Sequence, residues 1–235
     1  MNESKRHKNI TFKVILLLSV CLSIGCKSLT QDFHVKKLAK TDVDMVKDAY
    51  RVEIKRLTDE LLFKLYMRNP SELKKSGATL DQRRSQFRQS EFVSFSQSYM
   101  NDVRGIDAIR LALSEDYSAD RVFTLMLGLS DMLSESYNNK DEFFIFDEID
   151  QQRLYNSARN IEVLAWLLRT AKDEHGQLLL LTNHSSDDLV NLSFERLLGK
   201  LIAHQDMLAL IVSGKTQRAI NYVAQGIVRI TLIPL

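Results

Sequence analysis

The sequence predicts an all-α fold: a single multi-helix, bundle-like domain behind a short leader that is removed. Three observations carry that prediction. Glycine and proline are scarce, 8 and 2 in 235 residues, too few turn formers for a strand-and-turn fold. Apolar residues recur at steps of three and four over several long stretches, the spacing that lines one face of a helix. Those stretches tend to open on capping residues and close on Asn, Gly or Pro, the start and stop signals of helices.

The leader comes first in the chain. Lys5, Arg6, Lys8 and Lys13 precede an apolar run from Val14 to Ile24, and Gly25-Cys26 follows. A membrane-spanning helix needs ~20 apolar residues, so this run is too short to span. It has the length of a secretory core behind a cationic start. Ser23-Ile24-Gly25-Cys26 resembles the lipobox of the bacterial lipoprotein signal class, in which a small residue precedes the cysteine to be lipidated. Ser23 departs from the class, which usually has leucine there; Leu22 lies one place early. Cys21 is the poorer candidate because the branched Val20 precedes it. The competing reading is an ordinary cleaved signal peptide or an uncleaved N-terminal anchor. The resemblance implies cleavage between Gly25 and Cys26 and thioether acylation of the Cys26 thiol. It also implies further acylation of the freed amine, since more than one chain is needed for stable anchoring. Lys27, where an aspartate would favour inner-membrane retention in this class, points to the periplasmic face of the outer membrane. Residues 26–40 then read as a lipidated polar tether and residues 41–235 as the helical domain.

Thr41 and Asp42 offer an N-cap for the first helix. Val46, Tyr50, Ile54, Leu57, Leu61 and Leu65 form its apolar stripe, and Asn69-Pro70 ends it. Lys74 to Ala78 reads as a loop around Gly77. Leu80 to Tyr99 is polar, with Arg83, Arg84 and Arg88 on one face and Phe87, Phe92 and Phe95 beneath; a solvated face is the plain reading, docking to anionic headgroups or peptidoglycan the functional one. Asn101 to Leu113 is helical. Ala119 to Tyr137 is the most apolar helix and the expected centre of the core, with Val122, Phe123, Met126, Leu129 and Leu133 inward. Asn138-Asn139 breaks the pattern. Asp147 and Asp150 cap a helix that runs to about Lys172 on Leu154, Ala158, Ile161, Leu164 and Leu168, with Trp166 close to that face. Gly176 stops it. Leu178 to Leu181 reads as a buried strand or a loop plug. Ser186 caps a helix from Asp187 to about Val212, kinked near Gly199. Ser213-Gly214 separates it from a last helix through Gln217, Ile220 and Val223. The apolar tail from Ile227 to Leu235 has to dock on the core. Around Leu65 to Pro70 and Leu154 to Arg159 the chain also resembles uncharacterised proteobacterial lipoproteins, a likeness that carries no assigned function.

The formal charge of +2 misleads, because the leader alone contributes +3 and leaves −1 for the rest. Nucleic-acid binding gets no support from such a balance. The 2 cysteines are Cys21 and Cys26, so a lipidated, cleaved chain keeps no thiol for a disulfide, a metal centre or nucleophilic catalysis. No Gly-rich phosphate loop, G-x-S-x-G elbow or Ser-x-x-Lys motif occurs, and no cofactor is implied. His34, His175, His184 and His204 lack metal-site spacing. Asp147, Glu148 and Asp150 lack the glycine turn and ligand number of a calcium loop, and capping explains them.

Glu135-Ser136 is the one pair with a catalytic look. It resembles the Glu-Ser at the end of a helix in lytic transglycosylases, where the glutamate is the general acid in peptidoglycan cleavage. The Gly-Leu-Met-Gln signature of that family does not follow it. The expectation is therefore a binding or scaffolding envelope lipoprotein, with the bilayer and an envelope protein as partners. A peptidoglycan-active enzyme using Glu135 is the alternative. Acylation is testable directly: Cys26→Ser blocks it and leaves uncleaved precursor, because serine cannot form the thioether. Labelled palmitate entering Cys26→Ser as strongly as wild type overturns the assignment.

Overall fold

The computed structural model describes residues 40–89, 103–182, 185–186, 189–190, 192–216 and 232–235. The leader with Gly25 and Cys26, the tether to residue 39, Phe92, Phe95, His34, His184 and the expected helix through Gln217, Ile220 and Val223 lie outside the described residues. Lys40 to Leu235 forms one compact unit. Its described residues form seven helices: α1 (Asp42–Arg68), α2 (Pro70–Ser76), α3 (Leu80–Gln89), α4 (Gly105–Ala112), α5 (Arg121–Ser136), α6 (Gln151–Thr170) and α7 (Ser193–Thr216). A two-residue antiparallel ladder, β1 (Ser185–Ser186) with β2 (Leu189–Val190), lies between α6 and α7. The fold is all-α, as expected.

Helix α1 starts where the sequence places it. Thr41 is the N-cap, and its hydroxyl accepts from the Asp44 N–H while the Asp44 carboxylate accepts from the Thr41 N–H, a reciprocal box that satisfies two otherwise orphaned donors. Burial opposes ionisation of Asp44, but the Thr41 and Lys47 hydrogen bonds outweigh it and hold the carboxyl down at about 2. Ile54, Leu57, Leu61 and Leu65 are buried, joined by Leu62 and Tyr66. Pro70 ends α1 but also opens α2 at its first position, where a missing N–H is harmless. The expected loop of 74–78 is therefore the end of that helix, stopped by Gly77 in the left-handed region at φ 65°.

The three arginines of α3 do not share one solvated face: Arg83 turns inward, while Arg88 stays exposed. Arg83 is buried, 3.2 Å from Asp120 and stacked on Phe123. Arg84 and Arg88 both bond Asp59 of α1. Asp120 caps α5 through the Phe123 N–H and accepts from the Tyr66 hydroxyl at 2.7 Å; burial pushes its carboxyl above the usual range despite those bonds. Arg121 reaches back to the carbonyls of Ala112, Ser114 and Glu115, closing the end of α4, where the last carbonyls lack partners of their own.

Helix α5 is the central core helix, with Val122, Phe123, Met126, Leu129 and Leu133 all buried. It ends on Asn138 and Asn139, both at positive φ, a conformation asparagine tolerates better than most residues. Asp150, and not Asp147, caps α6. Asp147 instead closes the turn before it, accepting from the Phe144 N–H and pairing with Lys140. The five apolar residues expected inward on α6 are buried, while Trp166 is half exposed. Helix α6 ends at Thr170, ahead of Gly176, which turns a short segment bridged from Lys172 to Leu178. Leu180 plugs the core from a loop.

Helix α7 begins at Ser193, later than expected, because the β1–β2 ladder occupies the residues before it. It also runs unbroken through Ser213-Gly214 to Thr216. Glycine inside a helix costs about 1 kcal/mol; here Val212 is buried and Lys215 reaches the Thr41 hydroxyl and Asp44, so tertiary contacts carry the helix past it. Its length and composition would suffice to cross a membrane, yet Leu197, Leu201, Leu208 and Val212 are buried in the domain. The described end of the tail docks as expected: Leu232 is buried, and the Asn160 amide both donates to the Ile233 carbonyl and accepts its N–H.

Two apolar clusters make up the core. The larger joins α1, α4, α5, α6 and the first half of α7; the smaller gathers Tyr137, Phe143, Ile149, Leu154, Leu208 and Val212. Gln205 sits between them in sequence register on α7, fully buried. Its amide donates to the hydroxyls of Ser136 at 3.0 Å and Ser157 at 2.6 Å. The Tyr137 hydroxyl donates to its carbonyl oxygen at 3.0 Å. Each serine in turn donates to the carbonyl three residues back, so each group in the network has a partner. Gln205→Leu leaves the Tyr137 hydroxyl buried without an acceptor and lowers stability by ~1–3 kcal/mol. Adding Tyr137→Phe removes the orphaned donor and restores at least half of the loss. Urea midpoints of the two variants check both statements; a double variant no better than the single one contradicts them.

Candidate functional site

Glu135 lines a cleft of about 420 Å³ formed by the end of α5, the start of α4 and the first turn of α6. Its position follows from a close helix crossing. Gly128 of α5 lies so near α4 that a Cβ there would stand 2.7 Å from the Gly105 carbonyl oxygen and 2.9 Å from the Ala108 Cβ. Gly105 itself takes a positive φ of 51°, a turn that brings Arg104 over α5. Asp131 lies one turn beyond Gly128 and pairs with Arg104 at 3.4 Å. Glu135 lies one turn further on the same face. Arg153 of α6 completes the polar wall.

Glu135 is exposed, and its carboxylate has no ion-pair partner among the described residues; the same holds for the Arg153 guanidinium. Among the described lining residues the cleft therefore leaves one carboxylate and one guanidinium without an ion pair, beside Asp131 held by Arg104 and Asp107 held by Arg110. Ser136 does not join it. The helix turns its hydroxyl into the core, onto Leu133 and Gln205, so the Glu-Ser pair read from the sequence is split between surface and interior. Asp131, the nearest second carboxylate along the helix, is engaged by Arg104. Among the described residues the lining contains no aromatic ring, whereas sugar-binding grooves draw on aromatic walls for apolar contact.

The other sequence candidates are explained locally. Asp147 and Asp150 serve the turn and the cap. His204 packs edge-on against Tyr50 at 5.1 Å, and His175 is exposed beside Glu174. Among the described residues no group of three His, Cys, Asp or Glu side chains could hold a metal ion. Arg104 and Arg153 were not singled out from the sequence. The signal that could have found Arg104 is the Arg-Gly step just before a helix, where a positive-φ glycine re-aims its neighbour; nothing comparable marks Arg153.

Gly128→Ala drives a methyl group into backbone atoms that have little room to retreat. It lowers stability by ~1–3 kcal/mol, despite the ~1 kcal/mol helix preference of alanine; an unchanged thermal midpoint contradicts the close crossing. No family model, no curated protein and no solved structure matches this chain.

Proposed function

We propose that the chain is a lipoprotein of the Gram-negative envelope, held through acylated Cys26 at the periplasmic face of the outer membrane. Its helical domain serves as a binding or scaffolding component for another envelope protein. The anchor rests on the order of cationic start, short apolar run, Gly25 and Cys26. The role of the domain rests on one observation about two neighbouring helices.

Helices α1 and α7 run antiparallel, since Lys215 meets Thr41 and His204 meets Tyr50. Each leaves an apolar ridge in solvent. On α1 it is Met45, Ala49 and Val52, at steps of four and three, with Val52 67% exposed. On α7 it is Ala203, Met207 and Leu210, again at steps of four and three. Single exposed apolar residues need no explanation. Ridges in helical register on adjacent helices are what a partner's amphipathic helix seats against. A photoreactive phenylalanine in place of Met207 then gives one discrete cross-linked species in intact cells, and Val52→Glu weakens it. A smear of products, or none, speaks against a defined partner.

The second reading, a peptidoglycan-active enzyme of lytic-transglycosylase type with Glu135 as the acid, is kept by one observation: Glu135 stands exposed on a cleft. Glu135→Gln changes stability by less than ~0.5 kcal/mol, as expected of an exposed side chain. Wild-type protein incubated with sacculi releases no anhydro-muropeptides if the scaffold reading holds. Release that disappears in Glu135→Gln establishes the enzyme, since loss of a general acid removes ~10²–10⁴ in rate.

A further inference from the structure

The most exposed large apolar side chain among the described residues is Phe146, at 93%, and Ile145 beside it is half exposed. They form the tip of a turn that is held firmly from behind. Phe143 is fully buried and its N–H donates to Asp48 of α1. Ile149 is buried at the other end. Between them, the Phe144 N–H donates to the Asp147 carboxylate and the Asp147 N–H to the Phe144 carbonyl. Lys47 donates to the Asp147 carbonyl, and the Lys40 ammonium lies 4.9 Å from the centre of the Phe144 ring. The tip is thus presented by a braced turn, and at 93% exposure Phe146 has almost no packing that needs it to be apolar, while Ile145 beside it lines a crevice with Ile149 and Val212. Turn positions ordinarily favour small or polar residues.

The same end of the domain receives the chain from Cys26. Lys40 pairs with Asp48 and lies 3.9 Å from Glu142, so the domain begins beside this turn. Lys40 is fourteen residues after Cys26, a span of at most ~50 Å. An anchor at Cys26 therefore keeps this end of the domain close to the membrane. The rim carries both signs, Lys140 and Lys215 against Glu142 and Glu148, which suits a zwitterionic surface better than a strongly anionic one.

From these placements we infer that the Ile145–Phe146 tip inserts into the bilayer interface and sets the orientation of the domain on the membrane. Two side chains are too little apolar surface to hold a protein alone, and a tether raises their effective concentration at the membrane. The inference rests on the anchored reading, and the test separates the two. Residues 26–235, which contain the whole compact unit and the single thiol of Cys26, are coupled by that thiol to a maleimide lipid. The vesicles contain phosphatidylethanolamine and phosphatidylcholine. The anchor is then present whether or not a cell installs it; intact mass of the protein from cells reports cellular acylation separately. Trp166→Phe with Phe146→Trp places the only tryptophan at the tip, an exposed position that tolerates the change; circular dichroism confirms the fold. The expected result is a blue-shifted emission that loses most of its intensity when the acyl chains are brominated. Emission that stays water-like and unquenched overturns the inference. So does emission that shifts only when a soluble periplasmic extract is added, which assigns the tip to a protein. Adding Ile145→Asp to the reporter is expected to reduce the quenching; unchanged quenching removes Ile145 from the inserted tip and overturns the inference as stated.

Discussion

The packing of the last three described helices depends on a single buried amide. Gln205 holds Ser136 of α5, Ser157 of α6 and the Tyr137 hydroxyl at the end of α5. Apolar side chains slide over one another with modest penalty, because the hydrophobic effect has no direction. A buried amide with one satisfied geometry does not slide. Moving α7 along α6 by one helical turn would strand the Gln205 amide and the Tyr137 hydroxyl away from water, at several kcal/mol in all. The network thus selects one register among several that would bury similar apolar area. The flanking residues agree with that register: Leu201 and Leu208 lie on either side of Gln205, and Leu154 and Ile161 on either side of Ser157.

The entry end of the domain is tied by charge. Asp44 serves α1 as a cap partner, pairs with the buried Lys47 and lies 3.7 Å from Lys215 at the end of α7. Lys47 in turn reaches the Asp147 carbonyl of the turn before α6. One carboxylate and one ammonium therefore connect the first and last described helices and the intervening turn. Asp48 adds the Phe143 N–H and Lys40. Burying such groups is tolerable because each finds partners of opposite sign or a carbonyl.

Helical periodicity made the large features legible. The stripes of α1, α5 and α6 were readable residue by residue, since steps of three and four survive any context. The misses have physical causes. Pro70 reads from the sequence as a stop, although the same missing N–H suits a helix start. Arg83 looked like surface because the carboxylate that receives it, Asp120, is distant in sequence. Ser213-Gly214 looked like a break because local propensity ignores what Val212 and Lys215 touch. At the candidate cleft the sequence names Glu135, but its separation from Ser136 is not legible, since a dipeptide does not say which of its members faces inward. A signal for that was present: Ser136, Ser157 and Gln205 each fall on an apolar stripe, and polar residues at core positions call for one another.

The tail leaves a mark on how the chain is made. The Asn160 amide is completed by Ile233, 73 residues later, and Arg110 reaches the Leu232 carbonyl across 122 residues. Helices α4 and α6 are therefore synthesised long before the segment that covers them exists. A chain that emerges N-terminus first leaves this face open until that segment follows. Final closure waits on the last few residues of the sequence, and contacts of such long separation form late and slowly. Until then the side-chain amide of Asn160 and the apolar ground under Leu232 stay open to water.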